Sequence, residues 1–336
     1  MCKEILTIAG REYERLAENT PCFHGRWFDK TVEGIPCKVT ATAGARVFLL
    51  VEGARSLKVR FMARYGYVSG GSKACYAYSV DSREPERFPL DHVTVPLPDT
   101  GRHAVCLFTD GLPDGVGRWE EELVFVLESI TPSEGGRLWG IRPLAPLIFF
   151  FGDSITEGVH VIGGDEYLWQ NSATYAYPRY CADALGATPY FIGYGGSGYL
   201  RAGWFHTMEN AMDYLSGGHA VADSPYASLT PDLIVINHGT NDMDYPMMDF
   251  LSAMRGTLSG LYRRYPDIPV VYVIPLQQTH ATVIRRLMAE YPRGYVVESE
   301  GWPMSYTDGI HPNAASAKRM GENVARAIRE LGILES

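Results

Sequence analysis

Hydrophobic residues are spaced differently in the two halves of this 336-residue chain. From about residue 36 to 130 they come in short runs rich in β-branched and aromatic side chains, among them "RVFLLVE", "LKVRFMA", "ACYAYSV", "HAVCLFT" and "ELVFVLESI". Turn-forming pieces such as "PDTG" and "DGLPDG" separate many of these runs, and nothing in the region has the spacing of a long amphipathic helix. Short strands broken by turns at this interval predict an all-β sandwich of jelly-roll-like type.

After "GGRLWGIRPLAP" the apolar runs become continuous: "LIFFF" (147–151), "PYFI" (189–192), "LIVIN" (233–237), "PVVYVI" (269–274) and "YVV" (295–297). A strand with no polar alternation is buried on both faces, and connections of helical length between such strands predict a parallel sheet covered by helices. The last segment, "NAASAKRMGENVARAIREL", sets Ala317, Met320, Val324, Ile328 and Leu331 on one helical face. The expected fold class is therefore α/β: a three-layer domain over 144–336, preceded by the sandwich over 1–143. The join falls in the Gly/Pro-containing stretch 135–146.

Charge narrows the partners. With 30 basic and 39 acidic residues the net charge is −9, and no local run of Lys and Arg offsets it, so neither nucleic acid nor an anionic membrane surface is expected. Lys3, Glu4, Arg11, Glu12, Glu14 and Arg15 break up the N-terminal segment, leaving no apolar core of a signal peptide, and no stretch is long and apolar enough to span a bilayer. The six cysteines are scattered without a C-x-x-C pair, which argues against a zinc cage or a redox dithiol. A cytoplasmic location with free thiols is the expectation.

In an open parallel sheet, reactive groups gather where strands end at their carboxyl edge. "GDSIT" follows the first parallel strand, "GYGGSGY" the second and "HGTNDM" the third, and "TDGIHPN" precedes the last helix. Acyl transfer needs a nucleophile, a base, a group to orient that base, and donors aimed at an oxyanion. Ser154 offers a hydroxyl and its own N–H, while His311 offers an imidazole base with Asp308 three residues away to hold it. Gly195 offers an unobstructed N–H and Asn241 an uncharged amide. No metal or organic cofactor is required.

These four segments, in this order, resemble the four blocks of the SGNH (GDSL-type) hydrolases. The resemblance covers the chain from about 147 onward, although Gly193 stands where many members have Asn. It implies a flavodoxin-like domain, ester hydrolysis by a triad of Ser154, His311 and Asp308, and an oxyanion hole made by Ser154, Gly195 and Asn241. The two-domain layout resembles carbohydrate esterase family 2 and some related acyltransferases.

Other features read as structural: Asp153 and Asp242 as loop-organising carboxylates, Asn313 as a helix cap, and His238 as a satisfied core or supporting histidine. Gly193, Gly195 and Gly198 match G-x-G-x-x-G, with Asp213 twenty residues beyond the first. Those glycines follow the second strand rather than the first, and Asp213 falls in a helical pattern, so a nicotinamide cofactor is not expected.

The loops hold no long apolar run that would suggest a lipid groove, which favours a short acyl group, acetyl foremost, on a carbohydrate or similar polar alcohol. Tyr199, Trp204 and Trp302, in or beside the loops, can stack on sugar faces. An acyltransferase or a lipase/lysophospholipase-type esterase would use the same residues. A carbohydrate-binding module with a relict site is the alternative of another class, and the complete set of catalytic residue types speaks against it. The sequence leaves the role of the sandwich and the oligomeric state open.

Overall fold

The computed structural model describes residues 3–66, 74–89, 94–115, 117–163 and 170–334. Two antiparallel sheets make the first half. An eight-stranded sheet runs Ile5–Ile8, Arg11–Glu18, Arg137–Pro143, Arg46–Glu52, Arg102–Gly111, Cys75–Val80, Glu86–Pro89, with Cys22–His24 also pairing to Arg46–Glu52. Against it lies a five-stranded sheet in the order Thr94–Pro96, Ser56–Phe61, Phe125–Pro132, Ile35–Thr40, Phe28–Val32.

Alternation explains how the sheets face each other. In Ser56–Phe61, Leu57 and Val59 are buried while Lys58 and Arg60 are exposed. In "RVFLLVE", Val47, Leu49 and Val51 enter the core between the sheets, whereas Phe48 and Leu50 join Tyr13, Trp139 and Ile141 on the outer face. The N-terminal hairpin Ile5–Ile8/Arg11–Glu18 and the strand Arg137–Pro143 carry no continuous apolar run, and the apolar pattern did not mark them. The strand Arg137–Pro143 occupies most of the expected join and is held between Arg11–Glu18 and Arg46–Glu52.

The second half contains a five-stranded parallel sheet in the order Thr188–Gly193, Leu147–Gly152, Leu233–Asn237, Val270–Val273, Gly294–Val297. Chain order 2-1-3-4-5 is that of doubly wound flavodoxin-like sheets. Ile148 and Phe150 pack with helices Tyr177–Leu185 and Ala314–Glu330. Phe149 and Phe151 pack on the opposite face, with helices Met247–Arg264 and Ala281–Met288. An unbroken apolar strand is what two covered faces demand. Ala317, Met320, Val324 and Ile328 are buried as expected, but Leu331 follows the end of the helix and is 40% exposed.

The halves meet through a shared core rather than through a linker alone. Phe28, Val39, Val124 and Val126 of the first half join Phe149, Tyr190 and Ile234 of the second in one apolar cluster. Buried polar contacts reinforce it: Arg26 Nε donates to Tyr194 Oη at 2.9 Å, and Asp110 accepts from Ser172 Oγ and Thr174 N, each at 2.8 Å. Among the described residues no helix is long and apolar enough to cross a membrane, and no disulfide is formed.

Candidate active site

Where the strand Leu147–Gly152 ends, the chain turns at once into the one-turn helix Ser154–Glu157. Asp153 caps that turn, its Oδ1 accepting the Ile155 N–H at 3.0 Å, and Gly158 closes it at φ +91°, a left-handed conformation suited to glycine. Burial pushes the Asp153 carboxyl up to about 7. Ser154 is thereby fixed at the carboxyl edge of the sheet, 7% exposed.

The loop before the last helix folds back on itself. Thr307 N donates to His311 O at 2.9 Å and Asn313 N to Ser305 O at 3.0 Å. Asn313 then caps the helix by accepting Ser316 N–H at 3.0 Å, the role expected of it. Asp308 Oδ1 accepts the N–H groups of Ile310 (3.0 Å) and His311 (2.8 Å). Its other oxygen, Oδ2, accepts from His311 Nδ1 at 2.6 Å, and His311 Nε2 lies 2.8 Å from Ser154 Oγ. Three residues separated by up to 157 positions therefore form one hydrogen-bonded line. Burial alone would raise the Asp308 carboxyl, but the His311 N–H, the His160 and His311 rings and the Ile310 N–H hold it well below the usual carboxylate range.

The middle two loops are tied together by "ND". Asn241 Nδ2 donates to Ser197 O at 2.9 Å, which leaves the second hydrogen of the amide uncommitted by that bond. Asp242, fully buried, accepts the N–H groups of Tyr199 (2.7 Å), Leu200 (3.1 Å) and Arg201 (3.0 Å), the structural role expected of it. Asp213 closes the helix Met208–Asp213, so the nicotinamide fingerprint lacks its acidic strand end.

Three expectations need correction. The Gly195 N–H donates to Glu157 Oε2 at 2.7 Å, so this amide is committed to a buried carboxylate and is not free for an oxyanion. Glycine is needed there for a different reason: a Cβ would stand 2.2 Å from the Trp204 ring. Tyr199 is a core residue, 5% exposed, its hydroxyl donating to Tyr272 Oη at 3.2 Å. Trp302 packs beside the last helix and lines a groove with Val297, Asn323 and Arg326, not with Ser154 or His311. His238 is a buried core histidine, as expected, its ring 4.9 Å from that of Tyr199, and burial lowers its basicity. Trp204 does lie against the second loop, half-buried, with the Arg118 guanidinium 4.8 Å over its ring.

Sequence reasoning missed a second set of residues, half of it supplied by the sandwich. Arg118 Nη1 meets Glu157 Oε1 at 2.5 Å, with the two side chains 0% and 1% exposed. His160 Nδ1 lies 2.7 Å from Asp308 Oδ2, and its Nε2 lies 2.6 Å from Asp114 Oδ2. Neither "GVHVIGG" nor "DGLPDGVGRWEE" follows a recognisable motif, and only the fold brings them together. Ligand-type atoms of His160, Asp308 and His311 lie within 4.8 Å of one another, but each of these residues is already hydrogen-bonded to another of them.

Known structures share this architecture. A family two carbohydrate esterase from Clostridium thermocellum, solved in complex with cellohexaose, superimposes with a TM-score of 0.71 at 20% identity, covering 94% of this chain and 100% of its own. An acetyl xylan esterase from the rumen bacterium Butyrivibrio proteoclasticus gives 0.68 at 16% identity, with 100% of both chains covered. A salicylyl-acyltransferase from a tetracycline biosynthetic pathway gives 0.65 at 17% identity, over 94% of this chain and 97% of its own. No curated protein matches in sequence. The sequence pattern of the GDSL-like Lipase/Acylhydrolase family, however, matches residues 150–319, half of the chain and the whole span from the turn at Ser154 to the helix behind His311. The chain belongs to that family, within the SGNH superfamily, and is an SGNH-type ester hydrolase.

Proposed function

We propose that the protein hydrolyses short-chain acyl esters, acetyl foremost, of a carbohydrate or similar polar alcohol through an acyl-enzyme on Ser154. The observation that carries this reading is the hydrogen-bonded line from Ser154 Oγ through His311 to Asp308, at 2.8 and 2.6 Å. Ser154 Oγ attacks the ester carbonyl carbon while His311 Nε2 takes its proton, and Asp308 stabilises the imidazolium that results. The carbonyl oxygen becomes an oxyanion facing the Ser154 N–H and the remaining hydrogen of Asn241 Nδ2. Collapse expels the alcohol, which takes the proton back from His311. Water activated by the same histidine then releases the acid and restores Ser154.

Support for the substrate class comes from the site loops, which lack a long apolar run, and from the carbohydrate esterases that share the fold over nearly the entire chain. The acyltransferase with the same architecture favours a second reading, transfer to an acceptor alcohol rather than to water. Release of acid from acetylated sugars, compared across acyl lengths and with acceptor alcohols present, tests both. Ser154→Ala is expected to lower kcat by several orders of magnitude. Unchanged turnover in that variant would remove the mechanism, and a preference for long acyl chains would remove the substrate class.

A further inference from the structure

His160 is held through its backbone as well as its ring. Its backbone sits in the left-handed region at φ +52°, its N–H donates to Asn171 Oδ1 at 2.8 Å, and its carbonyl accepts from Thr307 Oγ1 at 2.9 Å. Non-glycine residues in that region persist where their surroundings over-determine them, commonly beside functional sites. The Asn171 side chain also donates to Asp114 Oδ1 at 2.5 Å and Leu112 O at 2.8 Å. One loop thus fixes both the histidine and the sandwich carboxylate it meets.

Each ring nitrogen of His160 faces a carboxylate oxygen: Nδ1 with Asp308 Oδ2 at 2.7 Å and Nε2 with Asp114 Oδ2 at 2.6 Å. An ionised carboxylate only accepts, so both nitrogens must carry hydrogens and the ring is an imidazolium. We propose that His160, charged and anchored by Asp114 of the β-sandwich, is a positioning residue that holds Asp308 for His311 and sets the basicity of the catalytic base. The inference rests on the triad reading given above.

Asp308 Oδ2 receives two ring donors, from His160 at 2.7 Å and from His311 at 2.6 Å, which leaves the carboxylate little freedom to rotate. The charged groups around His160 are Asp308 and, through it, His311 on one side, and Asp114 on the other, with the Arg118–Glu157 pair behind Asp114. Hydrogen bonding to Asp114, against the opposing effect of burial and with further support from Asp308, raises His160 to about 9. It is therefore charged below about pH 9. With Asp114 present, the surroundings of His311 sum to one net negative charge, as in an unadorned triad. The β-sandwich thereby becomes part of the catalytic unit.

The test is the pH profile of kcat/KM for p-nitrophenyl acetate in the full chain, with Ser154→Ala as control. The His160 and His311 ring centroids are 5.2 Å apart, a separation at which one charge moves a neighbour's titration by about one pH unit in a partly solvated site. His160→Gln keeps a donor but removes the cation. It is expected to move the acid limb up by about one pH unit and to lower kcat/KM about 10- to 100-fold. Asp114→Asn removes the opposite charge and is expected to move the limb down. Should either variant fold poorly, 15N imidazole NMR of the unmodified enzyme reads the same claim, with His160 doubly protonated at pH 8. An unmoved limb in both variants, or a neutral His160 ring at pH 8, would overturn the inference while an inert Ser154→Ala left the triad standing. Turnover by Ser154→Ala would instead remove the triad itself.

Discussion

Replacing Arg118 with leucine probes the contact that ties the sandwich to the catalytic loops. Arg118 and Glu157 are 0% and 1% exposed, and each carboxylate oxygen has one donor: Arg118 Nη1 at 2.5 Å and Gly195 N at 2.7 Å. Removing the guanidinium strands a buried carboxylate, an event that costs about 3–5 kcal/mol. With an unfolding entropy of about 2 cal/mol/K per residue, a chain of 336 residues should lose about 4–7 °C in Tm. The sign of the pH dependence follows from burial, which lifts the Glu157 carboxyl above its ordinary value even with Arg118 beside it. Without Arg118 it rises further. A carboxyl raised in the folded state contributes stability at low pH and loses it as pH rises through the folded value, so the deficit of the variant should shrink on acidification. The assay is a double-mutant cycle by calorimetry at pH 5 and pH 8, using Arg118→Leu, Glu157→Leu and the pair. The pair leaves the Gly195 N–H without its acceptor and Pro113 O without the Arg118 Nη2 donor, a loss of about 1–3 kcal/mol, so the coupling should still exceed about 2 kcal/mol. Singles that add to the double within about 0.5 kcal/mol would refute the argument that a buried charge pair anchors this loop.

Asn241→Ala should lower kcat/KM for p-nitrophenyl acetate about 100- to 1,000-fold if its amide stabilises the oxyanion; a loss below tenfold would leave it only the tether to Ser197 O. Asp153→Asn keeps an acceptor for the Ile155 N–H, whereas the native carboxyl, raised to about 7 by burial, loses stability as pH rises through that value. The variant should therefore gain Tm at pH 8 relative to the native enzyme and lose the advantage at pH 5. Equal effects at both pH values would show that the Asp153 carboxyl is not raised in the folded protein.

The pattern of apolar residues was most informative in the parallel sheet. Each of the five continuous runs after residue 146 became a parallel strand within two residues of its expected ends, because two covered faces leave no room for polar alternation. The hairpin Ile5–Ile8/Arg11–Glu18 escaped for the opposite reason: "REYERLAE" has only Tyr13 and Glu14 buried, and its strand is made by pairing rather than by an apolar stripe. Leu331 failed as a core residue because the helix ends one residue before it.

The site divided along a similar line. Ser154, Asp308 and His311 stand in local motifs that the fold brings together, with Asp308 Oδ1 accepting the His311 N–H at 2.8 Å and His311 Nε2 2.8 Å from Ser154 Oγ, whereas Asn241 is tied to Ser197 O, 44 positions away. Gly195 was misjudged because "GYGGSG" names the residue type but not the acceptor, and the acceptor, Glu157, lies 38 positions away on the helix behind Ser154. The contacts of Asp114 with His160 and of Arg118 with Glu157 span 46 and 39 positions and join an antiparallel sheet to a parallel one. No periodicity or motif encodes such a pairing, since each partner alone is an ordinary polar residue near a glycine-rich turn. The shared core accompanies these contacts: Phe28, Val39, Val124 and Val126 pack with Phe149 and Tyr190, and the loop carrying Asp114 and Arg118 lies at the edge where Ser154 turns. The two halves therefore meet in polar as well as apolar contacts, with Asp114 of the sandwich bonded to His160 and His160 to Asp308.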